Sequence, residues 1–227
     1  MYGNEPDTDL PPGAFISFVQ NHDQVRTRAF GERIGKLAPP GAVRAAAEIY
    51  LLAPQTPMLF MGEEWNADSP LPFFCDFGQD LAPLVAEGRR AEFAGFFEGE
   101  DTDSIPDPGA EETFYRGKLD WTGPHGSEHA GHLELYRGLL ALRREEILPL
   151  LGGIPGGESA YQTVGERGLR VRWELSDNTF LELLANLGPE PLAGIERPSG
   201  RLLYASYGVT EDGRELPGWS VLWYLAG

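Results

Sequence analysis

A single cysteine, Cys75, occurs in 227 residues. That excludes an intrachain disulfide and a zinc site built from cysteines. It fits a reducing compartment, so the cytoplasm is the expected location. No apolar run approaches the roughly 20 residues that cross a bilayer. The opening residues, Met1-Tyr2-Gly3-Asn4-Glu5-Pro6-Asp7, lack the basic start and apolar run of a signal peptide. Basic residues are scarce. Eighteen Lys and Arg stand against 35 Asp and Glu, a formal charge of −17. Such a surface repels phosphate backbones and anionic membranes, so neither nucleic acid nor a membrane is an expected partner. A neutral ligand is untouched by that argument. Internal repeats are missing too. What is present, 41% hydrophobic and 11% aromatic residues, suffices for one large core or two small ones.

Residues 1–14 are polar and rich in Pro and Gly, hence a loop. The apolar run 15–20 reads as a buried strand. Val43, Ala46, Ala47, Tyr50 and Leu51 fall at helical spacing, and Pro54 and Pro57 close that helix. Met58-Leu59-Phe60-Met61 reads as a second buried strand. Strand, helix and strand make a βαβ unit, with the strands parallel and the crossover right-handed. A long excursion follows. Phe93, Phe96 and Phe97 suggest a helix over 87–98, and Asp107-Pro108 an N-cap with a first-turn proline. Residues 127–146 carry the strongest helical stripe, through Leu133, Tyr136, Leu140 and Ile147 and widened by Leu135, Leu139 and Leu142.

The texture changes near Pro149. Gly152-Gly153 and Gly156-Gly157 mark a linker. Leu169, Val171 and Trp173 then alternate with Arg170, Arg172 and Glu174, and Trp219, Val221, Trp223 and Leu225 repeat the period. With Tyr161–Val164, Phe180–Ala185 and Arg201–Ser206, about five short strands are expected. The predicted fold is α/β over residues 1–150, followed by a small antiparallel β domain, a β-sandwich, over 151–227.

The chemistry gathers at the ends of the first two strands. Asn21-His22-Asp23-Gln24 follows the run from Phe15. In a parallel α/β protein, the carboxyl ends of strands face the active site. Asp23 suits a fixed anion that stabilises an oxocarbenium-like transition state. His22 can donate to sugar hydroxyls, and Asn21 and Gln24 offer amides. A polar strand-to-loop turn would use the same residues. Gly62-Glu63-Glu64-Trp65 ends the neighbouring strand. Glu63 can bind hydroxyls and Trp65 can stack on a sugar face, although a solvated loop is the simpler account of that segment alone. Two further clusters read as surface polarity. His125, His129 and His132 have helical spacing but no acidic partner, and Glu98, Glu100, Asp101 and Asp103 lack the full spacing of a calcium loop. No metal and no cofactor is expected.

Taken in order, these segments closely resemble the C-terminal part of the malto-oligosyltrehalose trehalohydrolases, in the α-amylase superfamily. The resemblance rests on Phe18–Gln24 with Gly31-Glu32-Arg33, on Leu51–Trp65 and on Phe73-Phe74-Cys75-Asp76-Phe77. Glu111–Phe114, Lys118–Trp121 and Leu135-Tyr136-Arg137 extend it over nearly the whole chain. It implies the end of a (β/α)8 barrel, with 15–20 as the seventh strand, 58–61 as the eighth and 127–146 as the last helix, followed by a small β domain. It implies Asp23 as the transition-state stabiliser, His22 as a sugar contact at the cleavage point, and Glu63 and Trp65 near the trehalose side. The family's reaction, release of trehalose from a maltooligosyl trehalose by cleavage of the adjacent α-1,4 bond with retention, needs two further carboxyls about 5–5.5 Å apart. In the family those sit on the fourth and fifth strands. The chain is therefore read as the back part of such an enzyme, inactive alone. Its expected partners are an α-glucan and a complementary N-terminal barrel chain. A non-catalytic carbohydrate-binding or interaction module and a fragment of a 1,4-α-glucan branching enzyme are the alternatives.

Overall fold

The computed structural model describes residues 9–95, 104–123, 126–157, 159–175, 178–210 and 214–227, with only the backbone at Ser127. Its contacts divide into two compact units. One takes Met1–Val19, Pro39–Met58 and Leu135–Gly227; the other takes Gln20–Ala38 and Leu59–Glu134. The division does not fall at residue 150, where the sequence changes texture.

The first unit is built on a five-stranded antiparallel sheet. Its strands are β3 (Ser159–Val164), β4 (Gly168–Glu174), β5 (Phe180–Asn186), β7 (Gly200–Ala205) and β9 (Ser220–Ala226). Their order is β3-β4-β5-β9-β7. The alternation in the sequence places these strands correctly. The small strands β6 (Leu192–Ala193) and β8 (Glu215–Leu216) escape it because two residues carry no period. One face buries Leu184, Leu222 and Tyr224 with Ile195 and Leu216. On the other side Trp223 stacks on Trp173, with centroids 5.7 Å apart. Trp219 does not begin β9. It sits at φ 53°, a region costly for a bulky side chain, and its N–H donates to the Gly188 carbonyl at 2.9 Å.

Helix α3 (Pro40–Tyr50) belongs to the same unit and buries Val43, Ala45, Ala47, Glu48 and Tyr50. Proline at its first position suits a helix start, where the missing N–H has no role. The Trp223 indole donates to the Glu48 carbonyl at 3.0 Å. The Glu48 carboxylate accepts from Tyr204 at 2.8 Å and from Ser206. The chain past the end of α3 is held by Arg143, which donates to the carbonyls of Leu51, Ala53 and Gln55.

Three expectations need correction here. The strand expected at 15–20 shrinks to β1 (Ile16–Ser17), and the one expected at 58–61 does not form; the pairing strand is β2 (Thr56–Pro57), just before it. Strands β1 and β2 are parallel as expected but not buried. Ile16 is 62% exposed, and Met58 and Met61 are also open to solvent. Among the described residues β1 and β2 pair only with each other, and Pro57 has no N–H to extend the ladder. The long helix is α6 (Ser127–Leu142); it widens into a π turn over Arg143–Ile147 and tightens into a 3-10 turn over Leu148–Gly153. Pro149 explains the change, since it cannot donate to the Glu145 carbonyl and its ring crowds that oxygen. The buried positions are Tyr136, Leu139, Arg143 and Ile147, while Leu140 is exposed.

The second unit has little regular structure: α1 (His22–Arg26), α2 (Ile34–Leu37), α4 (Ala82–Phe93), α5 (Glu111–Arg116) and the start of α6. Helix α4 begins before the expected residue 87, and Phe96, Phe97, His125 and the acidic run 98–103 lie outside the described residues. Asp107 is not an N-cap. Its Oδ1 accepts from the Gly109 N–H at 2.9 Å, an Asx turn, and α5 starts after Ala110. Gly31, at φ +71°, lets the Leu71 N–H reach its carbonyl at 2.8 Å. A Cβ there would come within 2.2 Å of the Leu71 backbone.

Burial pushes the Glu48 carboxyl up from its ordinary 4.5, against the two hydroxyls and Arg44, which pull it down. The folded state then holds this proton more tightly than the unfolded chain. Its contribution is complete below pH 4.5 and is lost as pH rises through the raised value. Urea midpoints of the wild type should therefore fall, relative to Glu48→Gln, as pH rises from 4.5 through the raised value. Parallel profiles for the two proteins would contradict this.

Candidate active-site face

The second unit carries all six residues singled out for sugar chemistry. Asn21 is the N-cap of α1. Its Oδ1 accepts from the Gln24 N–H at 3.1 Å, and Gln24 Oε1 accepts from the Asn21 N–H at 2.9 Å. This is a reciprocal capping box. The two amide oxygens are thereby committed to the helix start, which leaves their NH2 groups for a ligand. His22 and Asp23 stand in the first turn with Nε2 and Oδ1 3.0 Å apart, their side chains 61% and 75% exposed. An anion so open to water is screened, and its field on a nearby cation is weak.

The far end of α1 is tied down. Arg89, on α4 and 9% exposed, donates to the carbonyls of Arg26 and Arg28 at 2.7 Å each. Arg26 in turn donates to the Phe74 carbonyl at 3.0 Å and lies over the rings of Phe73 and Phe74. A five-residue helix cannot hold itself in water. The capping box at one end and Arg89 at the other fix where Asp23 points.

Glu63 and Trp65 lie in a 3-10 turn after Gly62. Gly62 has φ +81°, and a Cβ there would meet Leu119 at 2.6 Å. Glu63 is buried, 4% exposed, and its charge faces Arg33. Arg33 donates to the carbonyls of Ser69 and Met61 at 2.6 and 2.8 Å. Burial lowers the Arg33 guanidinium, while Glu63 and Glu64 hold it up. Trp65 is also 4% exposed, with its ring 5.3 Å from that of Trp121. Trp121, 69% exposed, is the open aromatic of this pair. His129 Nδ1 lies 2.9 Å from the Trp65 carbonyl and Nε2 3.3 Å from Asp68. A hydrogen bond from Lys36, chiefly, pulls the Asp68 carboxyl down.

Sequence reasoning placed Asn21, His22, Asp23 and Gln24 together, as the structure does. It missed the arginines. Their partners are carbonyls far along the chain, which leave no mark in a motif. The capping box did leave one, since Asn followed three residues later by Gln is its signature.

Comparison with known proteins gives these residues a setting. Residues 156–223 match a family model described as "Domain of unknown function (DUF3459)". The malto-oligosyltrehalose trehalohydrolase of Deinococcus radiodurans is 41% identical over 184 residues, covering 77% of this chain and 30% of that protein. That of Brevibacterium helvolum is 37% identical over 211 residues, 92% of this chain and 34% of that protein. The chain thus spans about a third of the length of these relatives. A 1.4 Å crystal structure of a protein assigned as an alpha amylase, from Salmonella typhimurium, superposes with a TM-score of 0.88 at 37% identity. It covers 97% of this chain and 36% of that one. The alpha-amylase from H. orenii shares the fold, with a TM-score of 0.54 at 20% identity. The resemblance read from the motifs to the C-terminal part of these trehalohydrolases therefore holds.

Arg33→Met would take their donor from the Ser69 and Met61 carbonyls and remove the buried cation whose charge acts with Glu63. That should cost about 3–5 kcal/mol, read by urea unfolding monitored through tryptophan fluorescence, and Arg33→Lys should recover only part of it. A loss below about 1 kcal/mol would mean that Arg33 is an ordinary surface cation.

Proposed function

From this kinship with the C-terminal part of the malto-oligosyltrehalose trehalohydrolases, we propose that the chain supplies one part of an α-glucan hydrolase site. Its substrate is a maltooligosyl trehalose and the product is trehalose. The observation that carries the reading is the first turn of α1, where Asp23 and His22 stand 3.0 Å apart on a helix anchored at both ends.

Asp23 acts as the fixed anion beside the anomeric carbon as positive charge develops there. His22 and the free amide groups of Asn21 and Gln24 bind hydroxyls around the scissile bond. Trp65 backs Trp121, and Glu63 belongs to the turn that carries Trp65. A retaining reaction also needs a nucleophile and an acid about 5–5.5 Å apart. Those groups come from the barrel strands that a complementary N-terminal segment brings. The same segment encloses Asp23, taking its carboxylate out of bulk water and strengthening its field. The bare edges of β1 and β2, with Ile16 exposed, support this, since an unpaired strand edge invites a neighbour. In this reading residues 15–20 and 58–61 end a (β/α)8 barrel, and the β domain near 151–227 follows it. The reaction belongs to trehalose synthesis in the cytoplasm; no helix among the described residues is long and apolar enough to cross a membrane.

The test is trehalose release from maltotriosyltrehalose by the purified 227-residue chain, with and without a relative's N-terminal part supplied in trans. The chain alone should release none, and the pair should be active. In the active pair Asp23→Asn should lower kcat on the order of 100-fold with little change in KM, because the carboxylate acts on transition-state charge. An unchanged kcat with a raised KM would make Asp23 a binding residue. Turnover by the chain alone would refute the division of labour, and glucan binding without activity in any combination would favour a non-catalytic module.

A further inference from the structure

The second unit has a groove whose floor is Phe74-Cys75-Asp76 and whose opposite wall runs from Pro108 to Phe114, enclosing about 510 Å³. That volume lies within the roughly 300–1,000 Å³ usual for small-molecule sites. Neither wall is left to itself. The Cys75 N–H donates to the Pro108 carbonyl at 2.9 Å and joins them. The Asx turn at Asp107 and the Thr113 hydroxyl, 2.6 Å from the Asp107 carbonyl, set the far wall. Arg26 sets the near one through the Phe74 carbonyl at 3.0 Å.

The lining combines aromatic rings with carboxylates. Phe74 and Phe114 meet edge to face with centroids 5.3 Å apart, and Phe114 is 42% exposed. Asp76 and Glu111 border the rings. Among the described residues no Lys or Arg is part of the lining itself, but Arg26 lies over the Phe74 ring and Lys118 over the Phe114 ring. Burial, helped by the Asp107 carboxylate and opposed by Arg26, pushes the Cys75 thiol up. A neutral ligand with an apolar ring face for phenyl groups and vicinal hydroxyls for carboxylate acceptors fits both features.

We infer that the groove between Phe74–Asp76 and Pro108–Phe114 is a second α-glucan site, which holds a stretch of the maltooligosaccharide chain apart from the bond at Asp23. The inference rests on the α-glucan reading above and extends it to residues outside the sugar-contact motifs. Arg26 joins the two places. It closes α1, the helix of Asp23, and fixes the floor of the groove.

The test uses the 227-residue chain alone, where trehalose release does not enter. Titration with maltoheptaose, followed by backbone amide NMR, should shift resonances of residues 74–76 and 108–114. Phe114→Ala should weaken binding roughly tenfold, and Asp76→Asn severalfold. Shifts confined to other residues, or no binding at all, would overturn the groove while leaving the trans assay free to support the α-glucan function. If spermine displaces maltoheptaose and binds more tightly, the carboxylates form a cation site and the inference fails. The wild-type shift map keeps the question decidable should a variant misfold.

Discussion

Peptide carbonyls in irregular segments must find donors, and in this chain buried arginines provide them. Arg33 serves Met61 and Ser69, Arg89 serves Arg26 and Arg28, and Arg143 serves Leu51, Ala53 and Gln55. The three side chains are between 2% and 9% exposed. Each carbonyl left without a partner would cost about 1–3 kcal/mol. A guanidinium suits the task because it spreads five donors over a plane and is weakly hydrated, whereas lysine offers a compact, strongly hydrated charge. Burial lowers Arg33 and Arg143 from their ordinary values, the expected direction for a cation taken out of water. Two of these brackets hold the segments that carry the candidate active-site face. The third holds the chain beyond α3.

Strand β4 was legible because apolar and charged residues alternate along it, although β5 and β9 are buried on both faces. Leu169, Val171 and Trp173 against Arg170 and Arg172 state the period directly. The structure adds what a period cannot, that Glu182 on β5 is nearly buried and takes Arg170 at 2.7 Å and Arg172 at 2.9 Å. The runs 15–20 and 58–61 were legible as apolar but misleading as strands. A ladder depends on neighbours, and composition does not report them. The helix at 127–142 was legible, while the wide turn after it depends on one proline.

At the candidate site, chemistry was easier to read than architecture. Asn21, His22, Asp23 and Gln24 were picked out as sugar ligands, yet two of them spend their oxygens on the helix start. Glu63 and Trp65 were picked out for ligand contact and lie buried, one facing Arg33 and the other beside Trp121. Polar and aromatic residues at a turn can build the turn or meet a ligand, and the residue types alone do not separate these uses. The separation came from burial and from which oxygens were already occupied.

The central claim is that α1, and with it Asp23, is held in place by a side chain from another helix. Amide hydrogen exchange of Arg89→Met against the wild-type chain tests it most directly. Residues 22–28 should lose protection while β4, β5 and β9 keep theirs. Unchanged exchange over 22–28, or an equal loss across both units, would contradict it.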